Sequence, residues 1–471
     1  MNPSKISNVK AVSISEKAID AAPSTISPKL IGATLAAALG GLLFGFDTIV
    51  ISGCQNQLRM LFQLDGFQQG FMTASAIIGT VVGALVAARP GDLYGRRDSL
   101  KAAGAFYMTC ALGCAMAWGF WPLIAFRALG GVAVGASSVL GPLYLAEISP
   151  APWRGRLVAF FQFNVVLGVL LAFVSNFGLG ELGLGEAEWR WKLGVQALPA
   201  AAFFVLLYFI PRSPRWLMMK GKEQEAADVL QSLGAKHVQE QIAAIRESLH
   251  YENRGRAEPL FCRAHAKPIF LAVAVAVFNQ LDGINALLYY LNPIFSMAGF
   301  SKVSGDAQAV VVGFANLIAT MAGMAIIDHA GRKPLLIWGA VGTGATLAGI
   351  AVIFDGTAHH SLLIWLLVGY IISHAFGQGA VIWVYISEVF PNTVRAKGQT
   401  LGSSTHWFMA MIVSWTFPIV AKDAGQPHAG APFAFFAVMM VVQIVVVRWL
   451  FPETKRIALE DMGSRIEGNR Q

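Results

Sequence analysis

Two charged residues lie in stretches that are otherwise apolar, and together they could carry a proton. Asp47 lies in LLFGFDTIVISG, and Arg127 lies in WPLIAFRALGGVAVG. A carboxylate near the middle of a membrane helix costs about 2.5–3.5 kcal/mol on insertion scales, so Asp47 requires a partner or a function. Because the ionised carboxylate would hold the guanidinium and the protonated acid would release it, the pair predicts a proton carrier. A permanent ion pair that only orients two helices is the alternative.

The elements that must position these residues are membrane helices. Of the 471 residues, 55% are hydrophobic and 13% are charged, against about 25% charged in typical soluble domains. Apolar segments of about 20 residues, long enough to cross a hydrocarbon core of about 30 Å, recur along the chain and predict an all-α membrane protein. Twelve transmembrane helices are predicted, starting near Leu30, Gln69, Leu100, Pro122, Leu157, Leu193, Pro268, Ala309, Pro334, Leu362, Gly398 and Pro432.

The basic residues are concentrated on one side of this topology. The net charge is +8, and 28 of the 35 Lys and Arg residues fall in the terminal tails and the even-numbered gaps between helices. This positive-inside pattern predicts that both termini are cytoplasmic. The basic charge then serves topology and contact with anionic membrane lipid, and it does not indicate nucleic-acid binding. Helix 1 runs outward and helix 4 inward in this topology, which brings Asp47 and Arg127 to similar depths near the outer edge.

The chain repeats its motifs at an almost constant offset. DLYGRR at Asp92 returns as DHAGRK at Asp328, and YLAEISPAPWR at Tyr144 returns as YISEVFPNTVR at Tyr385. PRSP and PETK close the two halves at a similar offset. Parallel repeats with a polar site between them are typical of rocking-bundle transporters.

The repeats divide the chain into two six-helix bundles with polar segments around them. The predicted parts are a disordered cytoplasmic tail (1–28), an N-terminal six-helix bundle (29–211), a cytoplasmic linker with short helices (212–267), a C-terminal six-helix bundle (268–452) and a cytoplasmic tail (453–471).

Several of these motifs, in order and over nearly the whole chain, resemble the sugar porter family of the major facilitator superfamily. They are GRR and GRK after an Asp, PLYLAEISPAPWRG, PRSPRWL, NQLDGINALLYY and FPETK. The resemblance implies the major facilitator fold and alternating access. It also implies that Asp47 and Arg127 couple transport to protons, as in the bacterial sugar/proton symporters of the family. A monomer in the bacterial inner (plasma) membrane is expected.

Charged residues recur where the predicted helices meet the cytoplasm, and the resemblance assigns them to a cytoplasmic gate. They are Asp92, Arg96, Arg97, Glu147 and Arg154 in the first half and Asp328, Arg332, Lys333, Glu388 and Arg395 in the second. Because exposed ion pairs are worth about 0–1 kcal/mol, they would form a latch weak enough to open. A role in topology alone is the alternative. Tyr289 and Tyr290 follow Gly283 and are predicted to form an outer gate, with ordinary packing as the alternative.

A sugar requires groups that donate and accept hydrogen bonds and a flat apolar surface. Polar and aromatic residues inside predicted helices meet this requirement, although amides also serve simple helix–helix contacts. The predicted substrate-binding residues are Gln162, Asn279, Gln280, Asn285, Asn316, Trp383, His406 and Trp407. The resemblance places Gln162, Gln280, Asn285, Asn316 and Trp383 at positions that contact sugar in the family.

Four residues depart from the family pattern. Asn279 replaces a glutamine, Asp282 a serine, Ala380 a proline, and His406 an amide or small residue. A pairing of Asp282 with His406 is one possibility, against separate hydrogen bonds by each. Without the proline, less bending is expected in helix 10. The departures leave open which sugar or polyol is bound.

The sequence thus predicts a proton-coupled symporter that imports a monosaccharide or related polyol. A sugar uniporter with the same site is the alternative, and a nutrient sensor is a further one. No nucleophile–base pair, metal cluster or phosphate loop is evident, so neither an enzyme nor a bound cofactor is expected. The predicted partners are the sugar, protons and membrane lipid.

Overall fold

The structure, a computed structural model, describes residues 27–255, 258–356, 360–391 and 394–455. Within these residues all regular secondary structure is helical. Most of the predicted N-terminal tail and residues 456–471 lie outside the described residues.

The N-terminal half contributes six membrane helices. They are Pro28–Val50 (helix 1), Gly66–Val86 (helix 2), Arg96–Ala115 (helix 3), Phe120–Ile148 (helix 4), Ala151–Glu181 (helix 5), and Glu188–Gly194 followed by Ala197–Leu206 (helix 6). A 3₁₀ turn, Ile51–Cys54, and the short helix Gln55–Leu61 prolong helix 1, and Ala88–Tyr94 prolongs helix 2.

The C-terminal half contributes six more, and two of them are interrupted. They are Ala266–Leu281, Ile284–Tyr289 and Leu291–Met297 (helices 7a, 7b and 7c), Lys302–Ala330 (helix 8), Arg332–Asp355 (helix 9), Leu363–His374 and Ala380–Glu388 (helices 10a and 10b), Arg395–Val420 (helix 11) and Ala431–Leu450 (helix 12). Helix 10 was expected to bend less without a proline at Ala380. It nevertheless contains a π-helical turn, Ala375–Gly379, directly before that residue.

Within the described residues, nine of these twelve are long and apolar enough to cross a membrane. Helices 3, 6 and 11 do not meet these criteria of length and apolar composition, and each has a clear reason. Helix 3 begins with three charged residues, helix 6 is interrupted after Gly194, and the first half of helix 11 is polar. The prediction of an all-α membrane protein with twelve helices in two six-helix halves is confirmed.

Small residues let the helices of each half pack closely. A Cβ atom added to Gly131 of helix 4 would lie 3.0 Å from the Cα of Gly79 on helix 2 and 2.8 Å from the backbone carbon of Ala76. Helices 1 and 5 meet in the same way, because a Cβ on Gly168 would lie 2.9 Å from the backbone carbon of Leu42. Such close approach is the usual basis of helix association in membranes. Burial of apolar side chains stabilises association little there, because lipid tails are equally apolar.

The halves meet along two helix pairs, helix 2 with helix 11 and helix 5 with helix 8. Trp415 of helix 11 packs against Phe71 and Phe67 of helix 2, with ring centroids 5.1 and 5.3 Å apart. Gly313 of helix 8 faces Phe173 of helix 5. The two contacts are related by the six-helix repeat, as expected when one half rocks against the other.

Three short helices join the halves: Pro214–Met219, Glu223–Ser232 and Val238–Gly255. They share an apolar cluster that includes Trp216, Leu217 and Leu230. The Ser27 hydroxyl at the start of helix 1 donates to the carbonyl of Leu233 at 2.9 Å, so helix 1 begins at this end of the bundle. This end is called the linker side below, and the opposite end the far side.

Gly131→Ala should destabilise the bundle, because the added methyl meets the backbone of helix 2. Overpacking of this kind costs about 1–3 kcal/mol. The midpoint of thermal unfolding in detergent should fall by several degrees. The control is Gly178→Ala on helix 5, where nothing lies within 4 Å of the added Cβ. Equal midpoints for the two variants would contradict the close contact.

Candidate functional site

Asp47 and Arg127 are both buried within the N-terminal half, at 2% and 1% exposure. An oxygen of Asp47 accepts a weak hydrogen bond from the thiol of Cys110, with 3.7 Å between sulfur and oxygen. Arg127 lies close enough for its charge to act on Asp47, and a Cβ on Gly130, three residues later, would lie 3.4 Å from the carboxylate. The two predicted partners therefore lie at the same place in the bundle.

The predicted ion pair is not closed in this structure. Among the described residues, Asp47 and Arg127 form no ion pair, and Nε and Nη2 of Arg127 have no hydrogen-bond partner. A buried guanidinium with free donors is costly, and an ionised carboxylate beside it would be drawn into contact. In this structure Asp47 and Arg127 are therefore neighbours whose charged groups do not form an ion pair.

The amides of helix 7 form a chain of hydrogen bonds across the break in that helix. Nε2 of Gln280 donates to Oδ1 of Asn279 at 3.0 Å, and Nδ2 of Asn285 donates to Oε1 of Gln280 at 2.8 Å. Nε2 of Gln280 also lies 3.3 Å from Nδ1 of His406 on helix 11. Three predicted residues of helix 7 and one of helix 11 thus form one polar group.

Aromatic rings continue this group toward the N-terminal half. The ring of His406 lies 4.9 Å from that of Trp383 on helix 10b and 5.0 Å from that of Trp407. Trp407 in turn lies 5.8 Å from Phe44 of helix 1, across the boundary between the halves. Trp383 remains 41% exposed, whereas Trp407 is buried. The arrangement offers an accessible aromatic face beside amide donors and acceptors.

Two predicted substrate residues stand apart from this group. Asn316 of helix 8 is buried and accepts a hydrogen bond from Thr320 at 3.4 Å. Gln162 of helix 5 is half-buried, and within the described part of the chain no contact joins it to the amides of helix 7. Helices 5 and 8 pack against each other, so these residues belong to a different wall of the interface between the halves.

Asp282 is not the partner of His406, and that possible pairing is wrong. Its carboxylate lies 2.6 Å from Nδ1 of His374, the last residue of helix 10a. Spacing along the sequence could not distinguish the two histidines, because the pairing depends on how helices 10 and 11 are rotated about their axes.

The predicted outer-gate tyrosines are buried on the far side. Tyr289 packs near Thr48 of helix 1, within range of the charges of Asp47 and Arg127. The hydroxyl of Tyr290 donates to the carbonyl of Ser414 on helix 11 at 3.0 Å. Tyr290 also lies within hydrogen-bond range of Thr73 and Gln55, so both tyrosines reach the N-terminal half.

The linker-side charges of the first half form a compact network. Arg96 is 3.1 Å from both Asp92 and Glu147. The hydroxyl of Ser213, in the PRSP motif, donates to Glu147 at 2.5 Å. The network joins the start of helix 3 to the end of helix 4 and the start of the linker.

The second half repeats the core of this network. Arg332 is 2.7 Å from Glu388, and the hydroxyl of Thr454 in the PETK motif donates to Glu388 at 2.6 Å. Glu453 accepts hydrogen bonds from the backbone amides of Arg332 and Lys333 at 3.0 and 3.1 Å, at the start of helix 9. Ser213 and Thr454 were missed as network residues, although their alignment in the two repeats was visible.

The remaining gate candidates are placed as follows. Arg97 donates to the carbonyl of Ile210 at 3.2 Å, and Arg395 donates to that of Phe390 at 3.3 Å. Arg154 is exposed. The side chain of Asp328 lies outside the described residues. The ion pairs described above on the linker side each lie within one half.

On the far side, charged residues tie the two halves together, and the sequence analysis did not identify them. Lys192 of helix 6, which is fully buried, lies 2.7 Å from Glu188 and 3.6 Å from Asp306 of helix 8. Its Nζ also donates to the carbonyl of Gly53 at 3.1 Å. Lys302, at the start of helix 8, pairs with Glu188. The spacing of Glu188 and Lys192, four residues apart and therefore on one face of a helix, was the available signal.

Asn292 of helix 7c adds uncharged links to this network. The hydroxyl of Ser52 donates to Oδ1 of Asn292 at 2.9 Å, and Nδ2 of Asn292 donates to Asp306. The charged network therefore links the halves on the far side. Among the described residues, the linker-side ion pairs given above each lie within one half.

Fold and site together define a membrane transporter built from two six-helix halves. The chain belongs to the family described as "Sugar (and other) transporter", whose model matches residues 33–465. The predicted family is confirmed, and the protein is a transporter rather than an enzyme.

Relatives and solved structures agree with this assignment. The chain is 32% identical to the D-xylose-proton symporter of Escherichia coli K12, over 91% of this chain and 94% of the relative. It is 34% identical to the arabinose-proton symporter of the same strain, over 92% of each chain. The inward open structure of the xylose transporter XylE from E. coli has a TM-score of 0.83 at 31% identity, covering 93% of this chain and 99% of that one.

Lys192→Met should open the far side. Without the lysine, Glu188 and Asp306 face each other buried, and breaking a buried pair costs about 3–5 kcal/mol. Spin labels at Met60→Cys and Val303→Cys, both exposed on the far side in opposite halves, would report their separation in a Cys262→Ser background. In Lys192→Met we expect the distribution of label separations to contain a population at longer distance than in the parent.

The control is Lys222→Met, which removes an exposed lysine paired with Glu225 in the linker. It should leave the distance distribution unchanged. The same short distance in Lys192→Met and the parent would show that the far-side network does not hold the halves together.

Proposed function

We propose that the protein is a proton-coupled symporter that imports a monosaccharide or related polyol by alternating access. The observation that carries this proposal is Asp47, a carboxylate buried beside Arg127 without an ion pair in a transporter of the sugar family. An acid in this position binds a proton in one state and holds the arginine in the other. Relatives named as proton symporters support the same mechanism.

The sugar is held, in this proposal, by the polar group around the break in helix 7 and by the ring of Trp383. Gln280, Asn279 and Asn285 supply donors and acceptors, and His406 adds a ring nitrogen at the end of the chain. Trp383 supplies the flat surface for the sugar ring, with Trp407 as a second wall. Gln162 and Asn316 would approach the sugar when the halves close around it. The names of the relatives make pentoses the first sugars to test.

Proton release and sugar release are linked through the far-side helices. Tyr289 on helix 7b is near Asp47 and Arg127, while Gln280 on helix 7a is in the sugar site. Ionisation of Asp47 would draw Arg127 toward it and change the surface against which helix 7b packs. A movement of helix 7b can therefore couple the ionisation of Asp47 to the arrangement of the sugar site.

The remaining roles follow from the same scheme. The linker side is cytoplasmic, and the protein lies in the inner membrane of a bacterium as a monomer in contact with lipid. The networks of Arg96 with Glu147 and of Arg332 with Glu388 brace each half at the cytoplasmic gate. Tyr289 and Tyr290 close the outer gate.

Replacement of Asp47, the proposed proton carrier, separates proton coupling from sugar transport. In proteoliposomes with an imposed proton gradient, Asp47→Asn should lower sugar accumulation to the equilibrium level, because asparagine binds no proton. Exchange of labelled sugar at equal concentrations should continue. Asp228→Asn, an exposed aspartate of the linker, is the control and should accumulate sugar normally. Normal accumulation by Asp47→Asn would remove Asp47 from the mechanism, whereas equilibrium-level uptake by the parent itself would favour the uniporter alternative.

Replacement of the aromatic surface tests the sugar site. Trp383→Ala should raise the dissociation constant of a bound sugar about tenfold, since it removes the ring's contact area. Isothermal titration calorimetry on the purified protein measures this directly. Trp338→Ala is the matched control, because Trp338 is 72% exposed on helix 9 and has no place in the site. Unchanged affinity in Trp383→Ala would place the sugar elsewhere.

A further inference from the structure

A buried pair of titratable groups beside the sugar site has no part in the transport scheme above. Asp282 is fully buried and His374 is 8% exposed. Nδ1 of His374 lies 2.6 Å from Oδ2 of Asp282. Such groups are costly to bury and are retained where their contact has a use.

Asp282 occupies the break in helix 7 and uses all three of its oxygen atoms there. Helix 7a ends at Leu281, Gly283 has the left-handed φ of +88°, and helix 7b begins at Ile284. Oδ1 of Asp282 accepts the backbone amide of Ile284 at 3.0 Å. Its carbonyl oxygen accepts the hydroxyl of Tyr370 at 3.1 Å. The residue thus caps helix 7b and is tied to helix 10a twice, through Tyr370 and His374.

The other end of the pair lies at the irregular turn of helix 10. His374 is the last residue of helix 10a, and the π-helical turn Ala375–Gly379 follows it directly. A Cβ on Gly379 would lie 3.4 Å from Nε2 of His374, so the imidazole lies against this turn. π-Helical turns are common at functional sites and allow a helix to change direction.

The sugar-binding residues flank both irregular points. Gln280 precedes the break in helix 7 and Asn285 follows it, yet their side chains are hydrogen-bonded at 2.8 Å. Trp383 lies on helix 10b, beyond the π-helical turn. A change of angle at either point would separate the amides from each other or from the indole ring.

We propose that His374 is a positioning residue for sugar binding, which acts by holding Asp282. The pair fixes the helix 7 break against helix 10, so that Gln280, Asn285 and Trp383 keep one relative arrangement. This inference rests on the sugar site proposed above. It gives His374 a role in sugar affinity, although His374 is not part of the polar group around Gln280.

The test compares two replacements of the histidine. His374→Phe keeps a ring of similar size but donates no hydrogen bond, and the Kd for sugar should rise about tenfold. His374→Asn can place an amide N–H where Nδ1 now lies, and it should bind within about twofold of the parent. The maximal rate of sugar exchange at saturating sugar should be similar in both variants, because the effect is on binding.

The matched controls are His237→Phe and His237→Asn, since His237 is an exposed linker residue. A double variant, Asp282→Ser with His374→Phe, removes both titratable groups and keeps a hydroxyl that can accept the Ile284 amide. It should fold with the thermal stability of the parent and still bind sugar weakly. Recovery of parental affinity in this double variant would overturn the proposal, because the pair would then only satisfy two buried polar groups and would not position the site.

The other possible results of the sugar-binding experiment also separate the two proposals. Parental affinity in His374→Phe overturns the positioning role, as does an equal loss of affinity and thermal stability in His374→Phe and His374→Asn. A parent protein that binds no monosaccharide in the same calorimeter contradicts the proposed sugar site itself. Binding by the parent with loss in His374→Phe and recovery in His374→Asn supports the inference.

Discussion

Charges buried between membrane helices must be neutralised by other groups of the protein, and the arrangement of this bundle depends on that requirement. Lys192 is surrounded by Glu188 and Asp306, and Asp282 has His374. Arg127 differs, because Asp47 lies beside it without closing an ion pair. The closed pairs hold the far side and the helix 7 break in place. The open pair is the place where, in the proposed mechanism, a proton would change the balance of charge.

The two halves are stiff where backbones touch and adjustable where helices are interrupted. Glycines such as Gly131 and Gly168 bring helices 2 and 4, and 1 and 5, into backbone contact. Helices 7 and 10, by contrast, are interrupted next to the residues proposed to bind sugar. Rocking of rigid halves and local adjustment of these two helices can therefore occur together. The far-side network links Lys192 of one half to Asp306 of the other and must open when the transporter opens on the far side.

The parts of the structure that the sequence predicted are those with a repeat or a strong apolar signal. The twelve helices follow from segment length, and the twin networks of Arg96 with Glu147 and Arg332 with Glu388 follow from motifs that occur twice. Lys192 and Asp306 have no counterpart in a repeated motif, so their contact emerged only from the fold. The partner of Asp282 depends on helix rotation, which composition and spacing do not encode. The π-helical turn in helix 10 arises without the proline expected to cause a bend.

The central claim is that sugar and proton cross the membrane together. The most direct measurement is the external pH of lightly buffered, de-energised vesicles that contain the purified protein, recorded as monosaccharides and polyols are added one at a time. The account predicts external alkalinisation with at least one compound, D-xylose and arabinose being the first to add, and no such change in Asp47→Asn vesicles. Exchange of labelled sugar without any change of pH, across the whole panel, would contradict the account and identify a uniporter in which Asp47 is structural.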